Sequence, residues 1–184
     1  MSSDGKLTDS EKLFKAREYK EKGNAAYEGG EFSKAAGSYY RAILYLKGLS
    51  INSPDIFAGL TGDVAGVSQS STPKMSVEME DDARTLTCEC HNNLAACMLK
   101  EPTPKYERII EHCTKALEAS PNNVKALFRK GMSQYALEDY EEALKTLQRA
   151  PSDPSCLKYI ELCKAGIRKH DRELAERFKN MFKS

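Results

Sequence analysis

Three segments of this chain repeat one arrangement of apolar and polar positions: "EFSKAAGSYYRAI" (31–43), "KYERIIEHCTKAL" (105–117) and "DYEEALKTLQRAP" (139–151). Each carries an aromatic at its second position, Phe32, Tyr106 or Tyr140, and later a basic residue followed by alanine. Those alanines are Ala42, Ala116 and Ala150. Upstream of each segment lies a matching helical stretch, "YKEKGNAAY" (19–27), "HNNLAACML" (91–99) or "LFRKGMSQY" (127–135), whose middle residue is small: Gly23, Ala95 or Gly131. A small residue there lets two antiparallel helices approach closely, and the aromatic opening the second helix is predicted to fill the gap. One such pair cannot bury its apolar face alone, so three stacked pairs are expected to share a continuous core.

Residues 154–182, "PSCLKYIELCKAGIRKHDRELAERFKNMF", read as one long helix. Leu157, Ile160, Cys163, Ile167, Leu174, Phe178 and Met181 recur there at three- and four-residue steps. The first half is predicted to cap the exposed end of the stack. The charge-rich second half is predicted to project into water as a solvated face, the alternative being a contact with calmodulin or another acidic surface. Between Leu46 and Val77 the helical stripe disappears, and Gly, Ser, Thr and Pro dominate. A loop of that length is functional or disordered. Disorder is the expectation, with docking of "DIFAGL" and "DVAGV" onto the repeat surface as the alternative. The resulting layout is a flexible tail over 1–9 and a helical domain over 10–184. That domain has repeats at about 16–47, 88–123 and 124–153, an inserted loop at 48–76 and a capping helix at 154–182.

Composition removes several function classes. The 184 residues carry a net charge of +1, too small for the global field that attracts nucleic acid. No apolar run approaches the roughly 18–20 residues of a membrane span. "MSSDGKLTDS" has no apolar segment of a secretory signal, and Ser2 stands where N-myristoylation needs Gly, so the expected address is cytoplasmic. Six cysteines in that compartment point away from disulfides. Cys88 and Cys90 would diverge on a helix, while Cys97, Cys113, Cys156 and Cys163 sit at packing positions, so no metal site is expected. His91, His112 and His170 lack the spacing of a nucleophile–base–acid set, and no Gly-rich phosphate loop is present. No catalysis and no cofactor are expected.

Charge placement along the first helices is more informative. Lys125 and Arg129 are four residues apart, so on a helix they share a face and repel by a few tenths of a kcal/mol. In a stack of helix pairs the first helix of each pair lines the concave face. Lys20 and Asn24 share a face in the first pair, and Asn93 in the second is level with Arg129 in the third. Three cations and two amides are thereby predicted to meet in one groove. Lysine offers a compact charge, arginine a planar fork for carboxylate oxygens, and asparagine directional hydrogen bonds. The set suits an anionic chain end with its own terminal carboxylate.

With Ala116 and Ala150 at a 34-residue period, the pattern resembles the tetratricopeptide repeat. Tyr19, Gly23, Ala35 and Tyr39 follow that family's motif in the first repeat, Leu94, Ala95 and Pro121 in the second, and Leu127, Gly131, Ala143 and Leu147 in the third. The resemblance implies an all-α fold: a right-handed superhelix of three tetratricopeptide helix pairs plus a long C-terminal capping helix. Lys20, Asn24, Asn93, Lys125 and Arg129 are similar in order and spacing to the two-carboxylate clamp of co-chaperone repeat domains. That likeness implies binding of the Glu-Glu-Val-Asp tail of heat shock protein 90 or 70 by a non-catalytic, monomeric adaptor. The closing "FKNMF" resembles the end of immunophilin repeat domains. Over residues 10–182, "YKEKGNAAY", "RAILYLKGL", the long loop, "CHNNLAACML" and "NVKALFRKG" follow the order of the tetratricopeptide repeat protein 9 group. The competing reading is a scaffold whose repeat surface binds another partner, such as a cytoskeletal protein, without recognising a terminal carboxylate.

Overall fold

The computed structural model describes residues 7–49 and 75–182. Among them the regular elements are seven α-helices: α1 (Asp9–Glu28), α2 (Phe32–Lys47), α3 (Val77–Met98), α4 (Tyr106–Ala119), α5 (Val124–Ala136), α6 (Tyr140–Leu147) and α7 (Pro154–Met181). The fold is all-α, as the periodicity predicts. Residues 1–6 of the expected tail and 50–74 of the expected loop, including "DIFAGL" and "DVAGV", lie outside the described residues.

Local chemistry sets the helix ends. Thr8 Oγ1 accepts from the Glu11 backbone N–H at 3.3 Å, and Glu11 Oε2 accepts from the Thr8 N–H at 2.8 Å. This reciprocal box starts α1 at Asp9, ahead of the first repeat's expected start near 16, and draws the end of the expected tail into the helix. Gly30 leaves α1 with φ +76°, a conformation that glycine adopts without steric cost. Asn123, Asp139 and Asp153 cap α5, α6 and α7 by accepting from the N–H of Ala126, Glu142 and Cys156. α3 likewise begins well before position 88. Its added turns bury Ala83 and Leu86, too sparse an apolar signal to mark a helix by period alone.

The chain divides within α3 into two compact units, 1–90 and 91–184. In the first, α1 packs along α2, with Leu13, Ala16, Ala35, Tyr39, Ile43 and Leu46 buried. A Cβ on Gly23 would lie 2.6 Å from Tyr39 Cε1, so the hydrogen side chain is what admits the Tyr39 ring. Phe32, the aromatic opening α2, instead meets Tyr27 edge-on at 5.2 Å. Phe32 thus packs on the first helix of its own pair, and the prediction is corrected only in that it does not fill the gap at Gly23. At the helix crossing the nearest residue is Tyr39, further along the second helix.

The second unit repeats this rule. There α5 packs against α4, α6 and α7, and α6 against α7. Gly131 makes room for Leu147, while Tyr140, the opening aromatic of α6, packs on the following helix, 2.9 Å from where a Cβ on Gly166 would stand. Tyr135, Tyr140, Phe128 and Tyr159 continue that layer, with ring centroids 5.4–5.6 Å apart. On α7, Cys156, Ile160 and Cys163 are buried, whereas residues 168–182 are exposed. Leu157, read as part of the inward stripe, is 48% exposed because Cys156 holds the inward position.

Candidate functional site

In the first unit, Lys20 and Asn24 lie one turn apart on α1. Lys20 Nζ donates to Glu89 Oε2 at 2.9 Å and lies 3.4 Å from Glu21 Oε1. Partial burial alone would lower the Lys20 pKa. The hydrogen bond and charge of Glu89, with help from Glu21, outweigh it, so the pKa is raised and the ammonium stays charged. Asn24 Oδ1 accepts from the Tyr39 hydroxyl at 2.8 Å, and Nδ2 donates to Glu21 Oε2 at 3.3 Å. Because the Tyr39 hydroxyl is a donor there, the Asn24 amide must turn its N–H groups the other way. Sequence reasoning missed both Tyr39 and Glu89 as determinants of this pair, since neither shares its helix.

In the second unit, Lys125 and Arg129 lie one turn apart on α5, as their spacing requires. Lys125 is exposed and forms no ion pair among the described residues. Arg129 is half-buried, and its Nη1 donates to Asn92 Oδ1. Asn92 Nδ2 in turn donates to Asn123 Oδ1 at 2.9 Å, the same oxygen that caps α5. Asn93, the amide that sequence spacing selects, is half-buried at the next position of α3. Asn92 is thus a second polar residue of this region; the doubled "NN" is its only trace in the sequence.

Other candidate chemistry is of a different kind. His91 Nδ1 and His112 Nδ1 are 3.0 Å apart, so one ring donates and the other accepts. All six cysteines are buried and unbridged. Burial pushes the Cys90 and Cys113 thiols up to about 12 and those of Cys97 and Cys156 to about 11. Thiols so shifted stay protonated at neutral pH and are poor nucleophiles and poor metal ligands. No described helix is long and apolar enough to cross a membrane.

Helix pairs with a small residue at the crossing are the architecture of a tetratricopeptide-repeat protein. The tetratricopeptide repeat profile matches residues 105–154. Tetratricopeptide repeat protein 9C of Xenopus tropicalis is 33% identical over 174 residues, covering 92% of this chain and 93% of the relative. The chain belongs to the tetratricopeptide repeat protein 9 family. Among solved structures, it resembles the C-terminal repeat-containing domain of a Plasmodium falciparum FK506-binding protein. That match has 25% identity and a TM-score of 0.69, covering 92% of this chain and 99% of that one. The first tetratricopeptide domain of Spaghetti (RPAP3), bound to the HSP90 peptide SRMEEVD, has the same fold. It is 18% identical with a TM-score of 0.56, covering 85% of this chain and 98% of that one. The fold is that of a protein-interaction module.

Proposed function

We propose that this chain is a non-catalytic cytoplasmic adaptor that binds the acidic C-terminal Glu-Glu-Val-Asp tail of a heat shock protein 90 or 70, as a monomer. Lys20 and Asn24 on α1, Asn93 on α3, and Lys125 and Arg129 on α5 serve as the residues that grip the tail's carboxylates. The observation that carries this reading is the α5 pair. An exposed lysine and a half-buried arginine stand one turn apart on one helix face, a register in which like charges repel and a shared anion is favoured. The peptide held by the Spaghetti (RPAP3) domain supports the ligand class. Lys20 supports it differently: its charge is preserved, but Glu89 occupies it in the free chain. A tail carboxylate would therefore exchange with Glu89 or share the ammonium's three donors.

Calorimetric titration with SRMEEVD as the free acid and as the C-terminal amide tests the reading. The free acid is expected to bind and the amide to bind far more weakly. Lys125→Ala or Arg129→Ala should cost about 2–5 kcal/mol if the ion pair is desolvated in the complex. Equal binding of acid and amide would favour a scaffold that engages another partner, such as a cytoskeletal protein, through a different surface.

A further inference from the structure

We propose that Asn92, backed by Asn123, is a positioning residue that holds the Arg129 guanidinium ready for a ligand carboxylate. This deepens the carboxylate-binding reading above and rests on it for the ligand. All three residues belong to the second unit. Asn92 is only 5% exposed, so its amide needs partners on both its oxygen and its nitrogen. It finds them on α5 and at its N-cap: Oδ1 accepts from Arg129 Nη1, and Nδ2 donates to Asn123 Oδ1.

The direction of this relay is fixed. Asn123 Oδ1 already accepts from the Ala126 N–H at 3.0 Å, so it presents an acceptor to Asn92. Asn92 must then turn its NH2 toward Asn123 and its oxygen toward Arg129. The flipped amide would set N–H donors against the guanidinium, which has donors only. Asn92 Oδ1 is thereby locked as an acceptor aimed at one arm of Arg129.

Two consequences follow for binding. An arginine side chain carries about 2 kcal/mol of rotamer entropy, and a guanidinium already held loses less of it on meeting a ligand. The tether is also neutral. An aspartate in the place of Asn92 would hold Arg129 equally well but oppose its charge, whereas an amide oxygen fixes the fork without adding a counter-charge of its own. Asn92 thus differs in kind from Glu89, which meets Lys20 with a full opposing charge.

The test uses the full chain and two readouts: the order of the Arg129 Nε–H group by 15N relaxation, and affinity for free-acid SRMEEVD. Asn92→Leu is expected to lower Arg129 order and weaken the peptide about tenfold or more, as for a lost hydrogen bond to a charged group. In an Arg129→Ala background it should add no further loss. Because Asn92 is buried and its replacement by Leu also alters packing, Asn123 supplies a second route. Asn123→Ser keeps a helix cap but is too short to hold Asn92, and should loosen Arg129. Asn123→Asp keeps both roles and should restore wild-type order. Unchanged Arg129 order in Asn92→Leu and Asn123→Ser overturns the positioning role, whether or not peptide binds. A wild-type chain that binds acid and amide alike overturns the tail-binding reading instead, and with it the ligand half of this proposal, while a fall in Arg129 order still upholds the tether.

Discussion

Single residues set how each helix offers its charge. Glu89 is the carboxylate that a tail must compete with at Lys20, and half its side chain faces solvent. Exposed pairs of this kind contribute about 0–1 kcal/mol, so Glu89→Gln should tighten free-acid tail binding by up to about fivefold. Weaker binding would contradict a competition between Glu89 and the tail for Lys20. Glu18, two positions before Lys20, accepts from Lys15 and Lys22, each at 2.9 Å, and these hydrogen bonds bring its pKa from 4.5 to about 2. A depressed carboxyl stabilises the fold above its ordinary value, and that contribution is lost as pH falls from 4.5 toward about 2. Carbon-detected titration should place the Glu18 midpoint near 2; a midpoint near 4.5 would deny the double pairing. Of this chemistry the sequence displays what lies on one helix. Lys20 with Asn24, and Lys125 with Arg129, are legible because four residues make one turn. Tyr39, Glu89 and Asn92 are not, because their partners lie 15, 69 and 37 positions away and only folding brings them together.

At the scale of elements, the helix pairs depend on two glycines. Gly23 and Gly131 stand where Tyr39 and Leu147 press against the neighbouring helix, and both partners are almost wholly buried, with no room to retreat. Gly23→Ala and Gly131→Ala should each destabilise the chain by about 1–3 kcal/mol, as overpacking does, despite alanine's better helix propensity. Urea unfolding measures this as a fall in midpoint at constant slope; a gain in stability would contradict the close approach. The small residues and the helices around them could be read from the repeat. Their contact partners could not, because the aromatics at positions 32 and 140 stand out in the sequence while the crossing is filled from further along the second helix, by Tyr39 and Leu147. The early starts of α1 and α3 were hidden for a related reason. Thr8 and Glu11 cap α1 by a reciprocal exchange just outside the repeat pattern, and Ala83 and Leu86 make too thin an apolar stripe to announce a helix.

For the molecule as a whole, a net charge of +1 means that no global field draws in an acidic partner. Attraction must come from local charges, and tail affinity should fall with added salt as the Debye length shrinks from about 10 Å at 0.1 M to about 3 Å at 1 M. The polar pairs on α1 and α5 belong to different compact units of the chain, and the proposed function requires one peptide end to engage both. A 1H–15N titration of the full chain with free-acid SRMEEVD tests it most directly. Signals around Lys20 and Asn24 should shift together with those around Lys125 and Arg129, along curves fitted by a single Kd, and stay in place with the amidated peptide. Response of one helix alone, or equal response to acid and amide, would contradict it.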